Sequence, residues 1–304
     1  MDKPAAAKAP YFALSDHVLL ALEGRDAIAF VQAQCMSDVA ALADGQWQWS
    51  GWLTPKGRVQ ALFLLLRVGP ETVWLVLPDG DAAGLKAAME RFVFRSKVRL
   101  SLPDGLAPCA SFSAPAAASG AMSATDARGR VELDLGDGTT ARTLRICSGC
   151  PAPVDQDALA RWRAFDLAHG VPRPGAGTGA LEAWTPQQLS LERLKAYSVR
   201  KGCYPGQEIV ARTHFLGQAK RGLALFGSDA VPPAGAQVMD GERAVGNVVA
   251  AAPSAGHGAA DAASGVHAGL VLAVLPVERP DGSPRLTVDD HALVPLPLLD
   301  GLAR

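Results

Sequence analysis

The sequence predicts an α+β fold in three lobes, and three observations support this prediction. Between residues 47 and 102, three strand patterns, one helical pattern and a fourth strand pattern follow one another. After residue 221, short apolar runs alternate with Gly, Pro and Asp turns, which is typical of a small β-barrel. The residues on both sides of the central unit mix strand and helix patterns.

The composition excludes several classes of protein. Of the 304 residues, 49% are hydrophobic and 19% charged, and the net charge of −1 is not that of a chain built throughout to bind nucleic acid. The longest apolar runs, 61–66 and 269–277, are too short to span a bilayer. Five cysteines without a signal-peptide pattern predict a cytoplasmic protein with no disulfide framework and no membrane partner, which we expect to be a monomer.

Periodicity and turn residues predict the elements before the densest motif. The predicted strands cover 17–22, 47–53, 58–68, 72–77, 97–102, 130–135 and 143–147, and the predicted helices cover 25–36, 79–93 and 154–169. Cys35 lies within the amphipathic pattern of the first helix, so we expect it in the core. Cys147 and Cys150 form a CxxC pair without the second pair that a zinc ribbon needs, and the interpretation as incidental cysteines is favoured.

Three tryptophans cluster at the start of the central sheet. The alternation of side chains along a strand places Trp47 and Trp49 on one face and Trp52 on the other. These rings either wall a flat heteroaromatic ligand, with Trp52 as the binding candidate, or fill the core, and the sequence favours neither interpretation.

The densest chemistry lies in one loop, with the sequence Lys201-Gly202-Cys203-Tyr204-Pro205-Gly206-Gln207-Glu208. Pro205 is suited to the first position of a helix and Gly217 to its end, which predicts a helix over 205–216. The positive end of that helix and the nearby Lys201 both favour thiolate over thiol at Cys203. Gly202 and Gly206 leave room for a ligand or a second backbone. The alternative is a buried thiol in an ordinary loop.

Basic residues concentrate around this loop. Residues 192–221 contain seven basic and two acidic side chains, which indicates a local anionic ligand, with solvated faces as the alternative. Residues 91–99 contain four basic side chains and no acidic one, and for that segment alone a solvated face is favoured.

The loop resembles a known family signature. Lys201-Gly202-Cys203-Tyr204-x-Gly206-Gln207-Glu208, followed by Ala211-Arg212 and Gly217-x-x-Lys220-Arg221, resembles the YgfZ family of folate-binding proteins, which is related to the T-protein (aminomethyltransferase) of the glycine cleavage system. The beginning of the chain and the Pro186-Gln187-x-Leu189-x-Leu191 approach to the loop resemble that family as well. The resemblance implies a three-lobed, T-protein-like fold with two α/β lobes and a C-terminal small β-barrel.

The resemblance also implies domains and site residues. We expect a folate-binding α/β domain from 1–48 and 106–218, a β-β-β-α-β lobe from 49–105, a barrel from 219–304, and tetrahydrofolate where the lobes meet. Cys203 would be the working thiolate and Lys201 its electrostatic activator. The candidates for binding the cofactor are Gly202, Tyr204, Gly206, Gln207, Glu208, Arg212, Lys220, Arg221, Gln187 and Trp52. For Gln187 a capping role is the alternative to a contact with the pterin edge.

Three hypotheses about function follow. The resemblance implies a folate-dependent accessory factor for assembly or repair of iron–sulfur clusters, including those of tRNA-modifying enzymes, with client proteins or assembly factors as partners. The second is a one-carbon transferase; the aminomethyltransferase carries a catalytic aspartate in a Gly-Gly-x-x-Asp-Asp hairpin, whereas residues 56–61 here contain no carboxylate, which argues against glycine-cleavage chemistry. The third is a module that binds tRNA or a partner protein through the basic segment without catalysis.

Overall fold

The computed structural model of the chain describes residues 10–149, 152–173, 175, 181–217, 219–254, 267–278 and 285–304. Within these ranges, the strands form three antiparallel sheets of five, seven and five strands. Each helix in the described part of the chain is too short or too polar to cross a lipid bilayer.

The strands and helices predicted before residue 170 are all present, with ends that differ by up to three residues, whereas the strands at Phe12–Ala13, Leu106–Ser111 and Ala124–Thr125 were not predicted. The first ten strands are β1 (Phe12–Ala13), β2 (His17–Glu23), β3 (Trp47–Leu53), β4 (Val59–Gly69), β5 (Thr72–Pro78), β6 (Arg99–Ser101), β7 (Leu106–Ser111), β8 (Ala124–Thr125), β9 (Val131–Asp134) and β10 (Thr143–Ser148). The C-terminal strands are β11 (Arg221–Ser228), β12 (Gln237–Asp240), β13 (Arg243–Pro253), β14 (Gly269–Pro276), β15 (Leu286–Val288), β16 (His291–Ala292) and β17 (Val294–Leu296). The helices are α1 (Ala27–Gln34), α2 (Ala82–Glu90), α3 (Gln156–Ala168) and α4 (Gln207–Leu216), with a 3-10 helix at Leu191–Leu194.

The central sheet has the strand order β3-β4-β5-β2-β6. Strand β2 pairs with β5 on one edge and with β6 on the other, because its side chains are buried on both faces and a strand of that kind is stable inside a sheet. The predicted boundary at 48/49 therefore falls within β3, and residues 17–23 complete the sheet assigned to 49–105. The division into domains stays a prediction, with this sheet shared across its first boundary.

The two faces of the central sheet bury different cores. Trp47 and Trp49 lie in a large core that also receives α3, whereas Trp52 lies in a second core with α1 and α2. The alternation of these tryptophans is confirmed. All three rings are at most 6% exposed, so they fill cores and do not wall an open site.

The C-terminal strands form the predicted barrel. Their order is β16-β15-β12-β13-β14-β11-β17, and the two edge strands β16 and β17 are separated in the chain by a single residue, Leu293. This short connection brings the opposite edges of the sheet together and nearly closes the barrel. The third five-stranded sheet has the order β1-β7-β10-β9-β8. Helix α3 packs against β13 and β14 and so connects the middle of the chain to the barrel.

Candidate functional site

The cysteine loop leads into α4, which begins at Gln207 and ends at Leu216. The helix starts two residues later than the predicted 205 because residues 205–206 form a turn, in which Gly206 has φ of 77°. This left-handed conformation is open to glycine and costly for other residues. Cys203 is exposed just before this turn, whereas Cys35, Cys109 and Cys147 are buried. Cys150, the second cysteine of the CxxC pair, lies outside the described residues.

A glycine pair joins the cysteine loop to the central sheet. A Cβ atom on Gly206 would lie 2.5 Å from the Thr54 carbonyl oxygen and 2.7 Å from the Gly57 Cα. A Cβ atom on Gly57, whose φ is 69°, would lie 2.8 Å from the Cβ of Ile209. The turn between β3 and β4 therefore packs directly on the start of α4. Gly202 differs, because a Cβ atom there would meet nothing within 4 Å, and so this position is open to a ligand.

Lys201 is buried and anchors the loop to the end of α1. Its ammonium donates hydrogen bonds to the carbonyl oxygens of Gln32, Cys35 (2.5 Å) and Ser37 (2.9 Å). Burial lowers the pKa of this ammonium to about 8. These contacts assign Lys201 an anchoring role, and its electrostatic effect on Cys203 stays a prediction.

The side chains of Tyr204 and Gln207 fix the loop by hydrogen bonds to backbone carbonyl oxygens. The Tyr204 hydroxyl donates to the Ser198 carbonyl at 3.0 Å, and burial raises the pKa of this hydroxyl. The Lys201 ammonium lies 5.0 Å from the centroid of the Tyr204 ring, within cation–π range. The Gln207 side chain donates to the Lys201 carbonyl at 3.1 Å. Both side chains are thus used to fix the backbone that presents Cys203.

An open cleft of about 510 Å³ lies at the exposed side of the loop. Its lining combines the turn of the central sheet with the cysteine loop and the first turns of α4: Pro55, Cys203, Tyr204, Gly206, Gln207, Glu208 and Ala211. The structure therefore brings five of the twelve sequence-predicted site residues to the lining of one cleft, and Cys203 is exposed there.

Cys35 lies behind the loop and is part of the core, as predicted. It is fully buried, and burial raises the pKa of its thiol to about 12, so Cys35 stays protonated. Cys147 is also buried, with its sulfur 4.0 Å from that of Cys109 on the neighbouring strand. Cys203 differs from these three in its exposure.

The other predicted cofactor residues fall into two groups. Trp52 donates from its indole N–H to the Gln34 side chain at 3.3 Å within the second core, which removes it from the candidate cleft. Arg212, Lys220 and Arg221 are exposed, and Arg221 also donates to the Val245 carbonyl at 3.0 Å. These cations are available to an anionic group, but no described contact fixes them at the cleft.

Gln187 is buried against the inner side of α4. Its amide nitrogen donates to the Val210 carbonyl at 2.8 Å, while its side-chain oxygen is buried without a hydrogen-bond partner among the described residues. A buried acceptor without a donor is costly, and such groups in native proteins call for an explanation. The bond to Val210 fixes the Gln187 side chain against α4, and both interpretations of Gln187, a cap and a contact with the pterin edge, stay predictions.

Glu192 is a functional candidate that sequence reasoning missed. It lies in the 3-10 helix between Ser190 and Lys195, whose φ angles of 51° and 53° are unfavourable for residues with side chains. Its side chain is exposed, yet desolvation raises the pKa of its carboxyl, and Tyr197 donates a hydrogen bond to it. The surrounding sequence gives no period or motif that marks this geometry.

Comparisons with known proteins agree with this fold. No family model matches the chain. An uncharacterized protein of Haemophilus influenzae is 26% identical over 218 residues, covering 71% of this chain and 72% of its own. The tRNA-modifying protein YgfZ of Escherichia coli O157:H7 is 28% identical over 262 residues, covering 78% of this chain and 79% of its own. The YgfZ of Shigella boydii serotype 4 is 29% identical with the same coverage.

A solved structure shows the architecture. The glycine cleavage system aminomethyltransferase T from Bartonella henselae superposes with a TM-score of 0.72, covering 97% of this chain and 87% of its own, at 16% sequence identity. At that identity the likeness establishes the fold alone. The resemblance read from the motif around Cys203 is thereby confirmed: the chain is a relative of the YgfZ proteins and has the fold of aminomethyltransferase T.

Proposed function

We propose that this protein is a tetrahydrofolate-binding accessory factor for iron–sulfur proteins and that the Cys203 thiol is its working group. The observation that carries the proposal is the exposure of Cys203 at an open cleft, while the other described cysteines are buried. The name of the relatives, tRNA-modifying protein, supports a role in tRNA modification. The aminomethyltransferase fold supports a folate site.

The residues near the loop fit a reduced folate. The amino-pyrimidine edge of a pterin presents adjacent N–H donors, which a carboxylate such as Glu192 can accept in pairs. The unpaired Gln187 oxygen is a further acceptor. Tyr197 bonds to Glu192 and lies close enough to Tyr204 for the two side chains to interact electrostatically, so Tyr197 connects Glu192 to the cysteine loop. Bound tetrahydrofolate would supply a carrier of one-carbon units.

The rest of the site would bind the tail of the folate and present the thiol. Arg212, Lys220 and Arg221 are exposed cations suited to the carboxylates of a glutamate tail. Cys203 lies just before the first turn of α4 and is exposed in the cleft lining, so its sulfur can reach a bound ligand. The hydrogen bonds of Lys201 and Tyr204 keep the loop in place, so that Cys203 can react without reorganisation of the backbone.

A one-carbon transferase finds less support in this cleft. Pro55 is the residue that the turn between β3 and β4 contributes to the lining, and residues 54–57 carry no carboxylate. Glu208 is the acidic residue of the cleft, and it lies in the first turn of α4.

The experiment tests folate binding and the role of the Cys203 thiol separately. Tetrahydrofolate binding is measured by calorimetry for the wild type, Glu192→Gln and Cys203→Ser, with Glu242→Gln, an exposed carboxylate of the barrel, as the matched control. The same variants are tested for support of an iron–sulfur tRNA-modifying enzyme in cells that lack the protein. We expect Glu192→Gln to lose about tenfold in affinity, and Cys203→Ser to keep folate affinity and lose the support.

Each half of the proposal can fail by itself. Failure of the wild-type protein to bind tetrahydrofolate would contradict the proposed folate site. Full support of the client enzyme by Cys203→Ser would contradict the proposed role of the thiol.

A further inference from the structure

Residues 91–99, here named the basic bend, connect α2 to β6 and combine positive charge with exposed aromatic rings. Their sequence is Arg-Phe-Val-Phe-Arg-Ser-Lys-Val-Arg. Phe94 is 85% exposed and Phe92 48% exposed. The sequence favours a solvated face here. Solvation explains exposed cations, but it does not explain an apolar ring as exposed as Phe94 among them.

The exposure of Phe94 is built into a fixed backbone. The N–H of Phe92 donates to the Met89 carbonyl and that of Phe94 to the Phe92 carbonyl, both at 3.0 Å. Val93 and Val98 pack against the second core on either side of the ring. Because the bend is fastened before and after Phe94, the ring is held outward by its own backbone.

The bend carries unpaired positive charge. Arg91, Arg95, Lys97 and Arg99 are all exposed. The acidic groups nearby already have cations of their own: Glu90 lies 2.8 Å from Lys86, Asp26 lies 3.9 Å from Arg25, and Glu23 lies 3.7 Å from Arg99. Arg91, Arg95 and Lys97 are left without a carboxylate among these pairs, so the bend attracts anions.

We infer that the basic bend binds single-stranded nucleic acid, with a base stacked on Phe94 and phosphates at Arg91, Arg95 and Lys97. Alternating aromatic and cationic side chains suit this ligand, because stacking and phosphate contacts alternate along a strand. The Arg95 guanidinium lies over the Phe94 ring at 5.3 Å from its centroid. A base stacked on the opposite face keeps this cation–π pair intact.

A lipid surface is a poorer match for the same residues. Insertion of Phe94 into hydrocarbon would take the Arg95 charge with it, which costs free energy. Stacking of a base instead leaves the guanidinium at the surface, where it also meets the phosphates. The Phe94–Arg95 pair therefore favours nucleic acid.

The bend is connected to the cysteine loop by direct contacts. The Phe92 ring meets Trp52 edge-on at 6.0 Å, and Trp52 bonds to Gln34 at the end of α1. The Lys201 ammonium is bound to the carbonyls that follow, among them that of Cys35. A strand held at Phe94 would thus lie on elements that also support the loop, although its binding needs neither Cys203 nor folate.

The test measures fluorescence anisotropy of the full chain with labelled oligouridine and oligothymidine of about 15 nucleotides. We expect Phe94→Ala to weaken binding of both by about tenfold, as loss of a stacked base does. Arg91→Ala should reduce the slope of log affinity against log salt by about 0.7, the share of one phosphate contact with a single strand. Because Phe94 is 85% exposed, its variant should keep the wild-type melting temperature.

Phe215→Ala is the matched control, because Phe215 is a 66% exposed phenylalanine in α4, within the other basic segment, 192–221. Its affinity should equal that of the wild type. Three results would overturn the inference: no binding of either oligonucleotide, equal losses in Phe94→Ala and Phe215→Ala, or Phe94-dependent binding to phosphatidylserine vesicles without binding to the oligonucleotides.

Discussion

Two of the buried cations in this protein are held in opposite ways. The Arg173 guanidinium is bound by carboxylates, with Asp16 at 2.6 Å, Asp79 at 2.8 Å and Asp166 at 2.5 Å. The Lys201 ammonium is bound by neutral carbonyl oxygens of the backbone. Burial alone would lower the pKa of Arg173, but its carboxylate partners raise it, whereas burial lowers the pKa of Lys201 to about 8.

The difference separates a connection whose charge is permanent from one whose charge depends on pH. Arg173 ties the start of β2 and the end of β5 to α3, and it keeps its charge at every accessible pH. Lys201 ties the cysteine loop to α1, and it can lose its proton at mildly alkaline pH. The scaffold of the fold is therefore fixed by ion pairs, and the loop that presents Cys203 is fixed by hydrogen bonds to neutral oxygens.

The largest expected effect is that of removing Arg173. Arg173→Met leaves three carboxylates without their shared cation, and breaking a buried ion pair by removal of one partner costs about 3–5 kcal/mol. Chemical denaturation should show this loss in the free energy of unfolding. Arg163→Met is the control, because Arg163 contacts Asp16 and Asp79 but its side chain is 28% exposed, so its loss should be smaller. Equal losses in both variants would contradict a special role for Arg173.

Removal of Lys201 should have a smaller and local effect. Lys201→Met leaves the carbonyls of Gln32, Cys35 and Ser37 without this donor, at a cost of about 1–3 kcal/mol. Hydrogen exchange should become faster in the loop and at the end of α1, and stay unchanged in the barrel. Lys201→Arg keeps the donors and should lose less. Uniform destabilisation of the whole chain by Lys201→Met would argue against a local anchor.

The third expected effect is a pH dependence confined to Lys201. The pKa of this group is about 8 in the folded chain and 10.5 in its ordinary state, so between these values the unfolded chain binds more protons. The free energy of unfolding contributed by Lys201 therefore rises with pH in this window, by at most about 3 kcal/mol. Denaturation at several pH values should show wild type gaining stability relative to Lys201→Arg, which stays charged. A constant difference would place the Lys201 ammonium in a more water-like environment.

Local features of the fold could be predicted from the sequence, and long-range pairing could not. The period of alternating side chains gives β3 its full range, Trp47–Leu53. The position of β2 inside the central sheet depends on partners more than 50 residues away, such as Pro78 opposite His17, and no local pattern encodes that choice. The start of α4 was predicted two residues early because the left-handed turn at Gly206 has no periodic signal.

The candidate site divides in the same way. Cys203 and its glycines could be found from the motif, because small and reactive residue types are visible in the sequence. The partners of Lys201 could not, since backbone carbonyls 164 to 169 residues away carry no residue type to recognise. Glu192 was missed because its environment depends on the left-handed backbone conformations of Ser190 and Lys195, which only the three-dimensional structure reveals.

The contact between Gly57 and Gly206 restricts how this protein can be recombined with its relatives. Each glycine fills the space that the other leaves, with only 2.7 Å between the Gly57 Cα and a Cβ built on Gly206. A hairpin turn transplanted from another protein would be accepted only if it leaves the same space for the cysteine loop. A chimaera of the two lobes should fold only when both turns come from the same parent.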